Sequence, residues 1–277
     1  MTARLLHGRP VADVIWARTE QRAASLPRPP RLAVVAGDDA SAAAYGHQIE
    51  RQFTRRGLHV VRQAAEAGSL TDLVRRLSAD DGIDGILLLT PLPPGADPDA
   101  AVRAIDPTKD VDGQHPASLG RLAQRRGALK LAPATALAGL RLLQHYETPI
   151  AGARAVVVGR SPVVGMPHAL LLVDADATVT ICHSRTVDLA SVTREADVLC
   201  VAIGRPESIG PQHVRPGAVV LDFGTHPTSD GGMLGDVQTA PVADLAGAIT
   251  PVPGGIGPVT VAVLAEQTVE LARARRD

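Results

Sequence analysis

Lysine is almost missing from this chain. Its 277 residues hold two, Lys109 and Lys130, and the other basic residues are arginines. No side-chain amine with an adjustable pKa therefore precedes position 109. The guanidinium that replaces it keeps its proton throughout the working range. Aromatic residues make up only 2%; with abundant alanine and arginine, this reads as the codon bias of a GC-rich genome. The single tryptophan, Trp16, is expected to pack a helix. Two cysteines, Cys182 and Cys200, are too few for a disulfide framework or a thiolate metal site, and read as buried, inert strand residues. No His/Cys/Asp cluster stands at ligand spacing, so no metal is expected. Net charge is −1 and the isoelectric point is near 6.8, which argues against nucleic-acid binding by bulk charge. No apolar run reaches the roughly 18 residues of a membrane span. The segment MTARLLHGRP has no apolar secretory core, so a cytoplasmic, reducing location is expected.

What the chain does have is a globular balance, 45% hydrophobic and 21% charged, arranged as short apolar runs between longer amphipathic ones. Strands are expected at 31–36, 85–89, 154–159, 178–182, 198–202 and 218–223. Most are continuous Val/Ile/Leu runs without alternation, the pattern of parallel strands covered on both faces. Helical stretches are expected at 42–56, 70–79, 136–145 and 166–174, with a last helix over 259–275. The alternation predicts an α/β fold with parallel sheets. A boundary is expected near Thr148–Gly152, just before the strongest strand.

Four segments carry chemistry. In VVVGRSPVVG (156–165) a strand enters a turn with glycines six apart and then a helix, the setting of a dinucleotide loop although not GxGxxG. Gly159 lets backbone approach a phosphate, the helix start offers amide donors, and Arg160 and Ser161 suit an extra phosphate, favouring NADP over NAD. In His183-Ser184-Arg185-Thr186, after the next strand, Ser184 and Arg185 suit a ribose 2′-phosphate. Each segment alone also reads as an ordinary β-α turn. Lys109-Asp110-Val111-Asp112-Gly113 reads as a loop holding a polar ligand through a carboxylate, or as a capped turn. ITPVPGGIGPVT (249–260), with three glycines and three prolines, reads as a stiff loop at the lip of a cleft, or as a connector.

Together, in this order and spacing, these segments resemble the bifunctional methylenetetrahydrofolate dehydrogenase/methenyltetrahydrofolate cyclohydrolase family over nearly the whole chain. GILLLTPLP (85–93) matches more loosely. The resemblance implies two domains around a cleft: an α/β folate domain (1–147 and 262–277) and a Rossmann-like NADP-binding domain with a parallel sheet (148–261). It implies a homodimer, NADP as cofactor, and a tetrahydrofolate derivative as substrate, with no nucleic-acid or membrane partner. It places Tyr45 and Asp112 in the catalytic folate site, with Pro253, Gly257 and Thr260 also binding substrate. Gly159, Arg160, Ser161, Ser184, Arg185 and Thr225 fall on the cofactor side. Thr225 stands where the family usually has isoleucine, and Ala134, Ala136 and Ala138 replace Cys, Pro and Gly.

Two departures bear on mechanism. The family's catalytic lysine lies four residues after the tyrosine, and here that position is Ile49. The glutamine that supports it is Leu89. Hydration of a methenyl cation needs proton traffic, which Ile49 cannot supply. His47 has a suitable intrinsic pKa but lies about 200° around the helix from position 49 and is expected at the surface. Losing both polar partners leaves neither buried alone, so a modified but packed pocket is expected, with both side chains in one place. The expected activity is dehydrogenase with cyclohydrolase weak or absent. The alternatives are a folate- and NADP-binding homologue repurposed for a specialised reaction, or a non-catalytic binding protein.

Overall fold

The computed structural model describes residues 2–124 and 131–275; Lys130 lies outside them. The elements run β1 (Arg4–Leu5), α1 (Gly8–Ala24), β2 (Arg31–Ala36), α2 (Ala40–Thr54), β3 (His59–Ala64), α3 (Leu70–Ala79), β4 (Gly85–Leu88), α4 (Pro98–Arg103), α5 (Pro116–Ala123) and α6 (Ala134–His145). They continue with β5 (Arg154–Val158), α7 (Gly165–Asp174), β6 (Thr178–Cys182), α8 (Leu189–Thr193), β7 (Val198–Val201), β8 (Val219–Asp222), β9 (His226–Pro227), β10 (Met233–Leu234), α9 (Thr239–Ala243), β11 (Ala248–Ile249) and α10 (Ile256–Ala274). The chain divides into two compact units, Val14–Ala134 with Val261–Asp277, and Met1–Asp13 with Thr135–Thr260.

The first unit holds a three-stranded parallel sheet in the order β3-β2-β4. The four middle residues of β2 are all buried, as a strand with both faces covered requires. Ala33 and Val35 join Ile86, Leu88 and the α3 residues Leu70, Val74 and Leu77 in one core. On α2 the buried positions are Ala42, Gly46, Ile49 and Phe53, a stripe at helical spacing. The Asp39 carboxylate starts this helix by accepting the amides of Ser41 and Ala42 at 3.0 and 2.9 Å. Trp16 packs edge-on against Phe53, with ring centroids 6.0 Å apart.

The second unit holds a six-stranded sheet in the order β1-β11-β8-β7-β5-β6, with every pair parallel. After β5 the chain pairs β6 on one side and then returns to pair β7 on the other. The strand order thus reverses at β5, where open α/β sheets bind ligands beyond the carboxyl ends of their strands.

The packing divides the chain differently from the expected 147/148 boundary. Residues 2–13 and 135–147 pack within the six-stranded unit. β1 pairs with β11. The Tyr146 hydroxyl donates to the His7 carbonyl at 2.8 Å, and the Arg4 guanidinium lies 4.8 Å over the Tyr146 ring. From α7, the His168 ring reaches the Ala136 carbonyl of α6 at 2.8 Å. These contacts join segments far apart in sequence, so the local pattern near 150 does not report them. No described helix is long and apolar enough to cross a membrane.

Candidate functional site

Within the three-stranded unit, the Lys109–Gly113 segment separates into structural and chemical parts. Lys109 is 1% exposed. Its ammonium donates to the carbonyls of Leu77, Ser78 and Asp80 at 3.3, 2.6 and 2.7 Å. It thereby caps the carboxyl end of α3, where the helix dipole favours a cation. Burial, and next to it the charge of Arg275, lowers its pKa. Asp110 is equally buried and accepts the backbone amides of Gln114 and His115 at 3.1 and 2.9 Å, bracing the loop. Lys109 is thus committed to helix carbonyls and Asp110 to the turn, which leaves Asp112.

One oxygen of Asp112 accepts the Ala134 amide at 2.8 Å, and the other accepts the Gln114 side-chain amide at 2.6 Å. Burial raises its pKa to about 6, against the lowering effect of these two donors. Tyr45 lies close enough that, after burial, the charge of Asp112 further raises its hydroxyl pKa. Gly113, at φ +58°, lies so near the other strand of the loop that a Cβ would sit 2.7 Å from the Ala132 carbonyl carbon. Gln267 of α10 ties that approach down. Its amide nitrogen donates to the Val111 and Ala132 carbonyls at 2.6 and 3.1 Å, and its oxygen accepts the Ala132 amide at 3.1 Å. Gln114 and Gln267 were not predicted, because their partners are set by the fold rather than by a local pattern.

Ile49 is 0% exposed and Leu89 4%. A Cβ on Gly46 would lie 3.3 Å from Leu89 Cδ1, so Leu89 packs on the buried stripe of α2, one turn before Ile49. Both positions are apolar and filled. His47 points outward: its ring lies 3.1 Å from Arg62, which pairs with Glu50 at 2.9 Å, so it stays at the surface.

Within the six-stranded unit, a cavity of about 320 Å³ opens at the carboxyl ends of β5, β6 and β7. Its lining includes Gly159, Arg160, Ser161, Ser184, Ile203 and Arg205. Gly159 has φ +126°, and a Cβ there would meet the Ala202 carbonyl oxygen at 2.1 Å. Only glycine fits. The Ser161 hydroxyl accepts the Val164 and Gly165 amides at 3.1 and 3.3 Å, organising the start of α7. Arg160 and Arg205 have no carboxylate partner among the described residues. A glycine turn without room for a side chain, a helix start and two unpaired guanidinium groups fit a phosphate-bearing dinucleotide. Arg185 and Thr225 are exposed and do not line this cavity. Arg205 does, and it is absent from the expected cofactor residues: Gly204 and Pro206 mark a turn, but nothing local ties that turn to the cavity.

The loop after β11 is tied back by Thr250, whose hydroxyl accepts the Asp222 amide at 2.8 Å. Pro253 is exposed and follows a cis peptide bond. Gly257, in the first turn of α10, is exposed with open space beside it. Thr260 is buried, with its hydroxyl turned back to the Ile256 carbonyl at 3.3 Å. Cys200 is buried too, with its sulfur 3.3 Å from the His168 ring, and burial raises its pKa. Burial also lowers His168 to about 4. Among the described residues no cluster of His, Cys, Asp or Glu is arranged to hold a metal.

Residues 6–112 match the family model for the tetrahydrofolate dehydrogenase/cyclohydrolase catalytic domain, and residues 133–276 match the model for its NAD(P)-binding domain. The chain is 49% identical over 279 residues to the bifunctional protein FolD of Thermomicrobium roseum, covering 98% of this chain and 96% of that protein. It is 33% identical to the bifunctional FolD dehydrogenase/cyclohydrolase of Campylobacter jejuni, whose crystal structure superposes with a TM-score of 0.94 over 99% of each chain. The FolD structure of Trypanosoma brucei, complexed with NADP cofactor and an inhibitor, is 32% identical with a TM-score of 0.92, over 100% of this chain and 99% of that one. With a glycine turn at a strand-order reversal and matches along nearly its full length, this chain belongs to the tetrahydrofolate dehydrogenase/cyclohydrolase family.

Proposed function

We propose that the protein oxidises 5,10-methylenetetrahydrofolate to 5,10-methenyltetrahydrofolate with NADP+, and that it hydrolyses the methenyl product weakly or not at all. The reading rests on the buried apolar pair Ile49 and Leu89, at the positions that the resemblance gives to a lysine and its supporting glutamine. NADP+, when bound, would supply the hydride acceptor for the folate methylene carbon, leaving the product a cation. The chain's task in this step is to hold and orient the reactants. Gly159, Arg160, Ser161 and Ser184 hold the cofactor phosphates and ribose, with Arg185 and Thr225 flanking them. Asp112 accepts donors of the pterin edge, and Tyr45 stacks beside it. Pro253, Gly257 and Thr260 form the substrate-side loop.

Hydration would require activating a water beside the methenyl carbon. Neither Ile49 nor Leu89 can exchange a proton, and Arg51 and Arg55 on the same helix stay charged. We propose further that the enzyme is a cytoplasmic homodimer. The test mixes purified protein with 5,10-methylenetetrahydrofolate and NADP+ and follows NADPH, methenyl product and 10-formyl product separately. NADPH formation with accumulating methenyl product is expected. Rapid enzymatic conversion to 10-formyltetrahydrofolate would overturn the monofunctional reading. Folate and NADP binding without hydride transfer would favour the repurposed or binding-only alternative.

A further inference from the structure

Three consecutive amides in the six-stranded unit point at one buried carboxylate. One oxygen of Asp236 accepts the Ile203 and Gly204 amides at 2.7 and 3.0 Å. The other accepts the Arg205 amide and the His226 ring N–H, both at 2.8 Å. Asp236 is 0% exposed. Successive backbone N–H groups of this kind form an anion-binding nest, and here the chain supplies its own anion. Asp236 is itself held. Its amide and that of Val237 donate to the Asp222 carboxylate at the end of β8, at 3.0 and 2.9 Å. The Asp222 carboxylate also accepts the Gly224 amide at 2.8 Å. A chain of hydrogen bonds therefore runs from the edge of β8, through Asp236, to the segment after β7.

That segment is one wall of the cofactor cavity, to which Ala202, Ile203 and Arg205 all contribute. Gly204 sits in the left-handed region at φ +67°, so the three amides converge only because the backbone reverses there. Glycine adopts that conformation freely, and the carboxylate receives the three amides. Arg205 is exposed and without an ion-pair partner among the described residues. The Asp236 bond fixes the backbone from which the Arg205 side chain starts.

We propose that Asp236 is a positioning residue for the dinucleotide: it holds Ile203–Arg205 as a wall of the cavity and presents the Arg205 guanidinium to the bound NADP. The role is separate from the folate residues, which lie elsewhere in the chain. Asn at this position keeps the shape but turns an amide N–H toward backbone donors, so the nest loses part of its anchor.

The experiment compares the full-length protein with Asp236→Asn, Arg205→Ala, His226→Ala and His226→Gln. It measures the NADP Kd by titration, the KM for NADP, the KM for the folate substrate, and far-UV circular dichroism. For Asp236→Asn, the NADP Kd and KM are expected to rise about tenfold with the folate KM within about twofold. Arg205→Ala is expected to reproduce part of that loss. His226→Ala, which cuts one bond without emptying the nest, is expected to weaken NADP binding about threefold, and His226→Gln to recover part of it. A folded Asp236→Asn protein with unchanged NADP affinity overturns the proposal. So does equal weakening of NADP and folate, which would mark a global structural role. Where Asp236→Asn does not fold, unchanged NADP affinity in His226→Ala overturns it. Failure of the unmodified protein to bind NADP would instead remove the cofactor reading itself.

Discussion

Against the buried stripe of α2, the three-stranded unit sets Ile49 and Leu89, both sealed from solvent. At the carboxyl ends of β5, β6 and β7, the six-stranded unit sets a glycine turn, two serines and two arginines, unpaired among the described residues, around an open cavity. The first region has the packing of a core where the family reading calls for proton transfer. The second combines a glycine turn, a helix start and exposed arginines, groups that suit a phosphate. The difference shows that holding a ligand and exchanging protons with it are separable tasks. Binding relies on backbone amides, charge and shape, whereas proton exchange rests on one or two side chains. Under the proposed function, Ile49 and Leu89 remove the latter while the glycine turn and the cavity beside it stay in place.

The comparison breaks most completely at Gly159. Valine there faces φ +126° and a carbonyl oxygen 2.1 Å from its Cβ. The turn must move, and NADP affinity is expected to fall by roughly 100-fold or more. Isothermal titration checks this, with folate binding as the control that should hold.

A second way to break it is to give the apolar pocket its polar pair. Ile49→Lys alone buries an amine without a partner and is expected to cost about 3 kcal/mol or more of stability. Ile49→Lys with Leu89→Gln supplies a partner, so the double variant should be more stable than the two single effects predict. It should also hydrolyse methenyltetrahydrofolate roughly tenfold or more faster than the unmodified protein. Denaturant unfolding and a methenyl absorbance assay measure the two halves. A double variant with no hydrolysis would show that the pocket lacks more than these two groups.

How much of this was legible in the sequence follows the range of the forces involved. Strands β2, β5 and β7 announce themselves because parallel strands covered on both faces need continuous apolar runs. Strand β3 does not. It is an edge strand reading HVVRQA with an exposed, mixed surface, and it gives no clean period. Strands β1 and β11, two residues each, are too short to carry one, so the true packing of the first 13 residues was invisible. In the candidate site, the Gly159 turn stands out by its local pattern, whereas Asp112 is singled out from its loop by the family resemblance. Lys109 was legible only as part of a ligand loop, and its actual task depends on where α3 ends. Gln267 and Asp236 act on segments many residues away, and no local pattern encodes them.

Asp112 sharpens the contrast through pH. Its folded pKa is about 6, above the ordinary carboxylate value near 4. Between those two values the folded protein binds more protons than the unfolded chain, so stability from this group is full below about pH 4 and is lost as pH rises through about 6. Asp112→Asn removes that loss. Its Tm is expected to exceed that of the unmodified protein at pH 8, and the gap should close by pH 4. The same change deprives the pterin of a charged acceptor, so folate affinity should drop about tenfold. In the unmodified protein, folate binding should weaken as pH falls through 6, because protonated Asp112 loses acceptor capacity. Differential scanning fluorimetry and folate titration across pH 5–8 read both effects.

The smallest effect tests how local the cofactor cavity is. Arg160 and Arg185 are both exposed arginines following β-strands, but only Arg160 lines the cavity. The Arg185 amide donates to the His183 ring at 3.2 Å, a bond that survives any side-chain truncation. Arg185→Ala is therefore expected to raise the NADP Kd by about twofold at most, an effect that shrinks further at high salt, as for an exposed charge. Arg160→Ala is expected to raise it about tenfold, the scale of a lost charge-assisted hydrogen bond. Equal losses would mean that the ribose end of the cofactor reaches past the cavity to the turn after β6. A loss at Arg160 alone would confine recognition of the extra phosphate to the cavity and make Arg205, across from it, the next arginine to test.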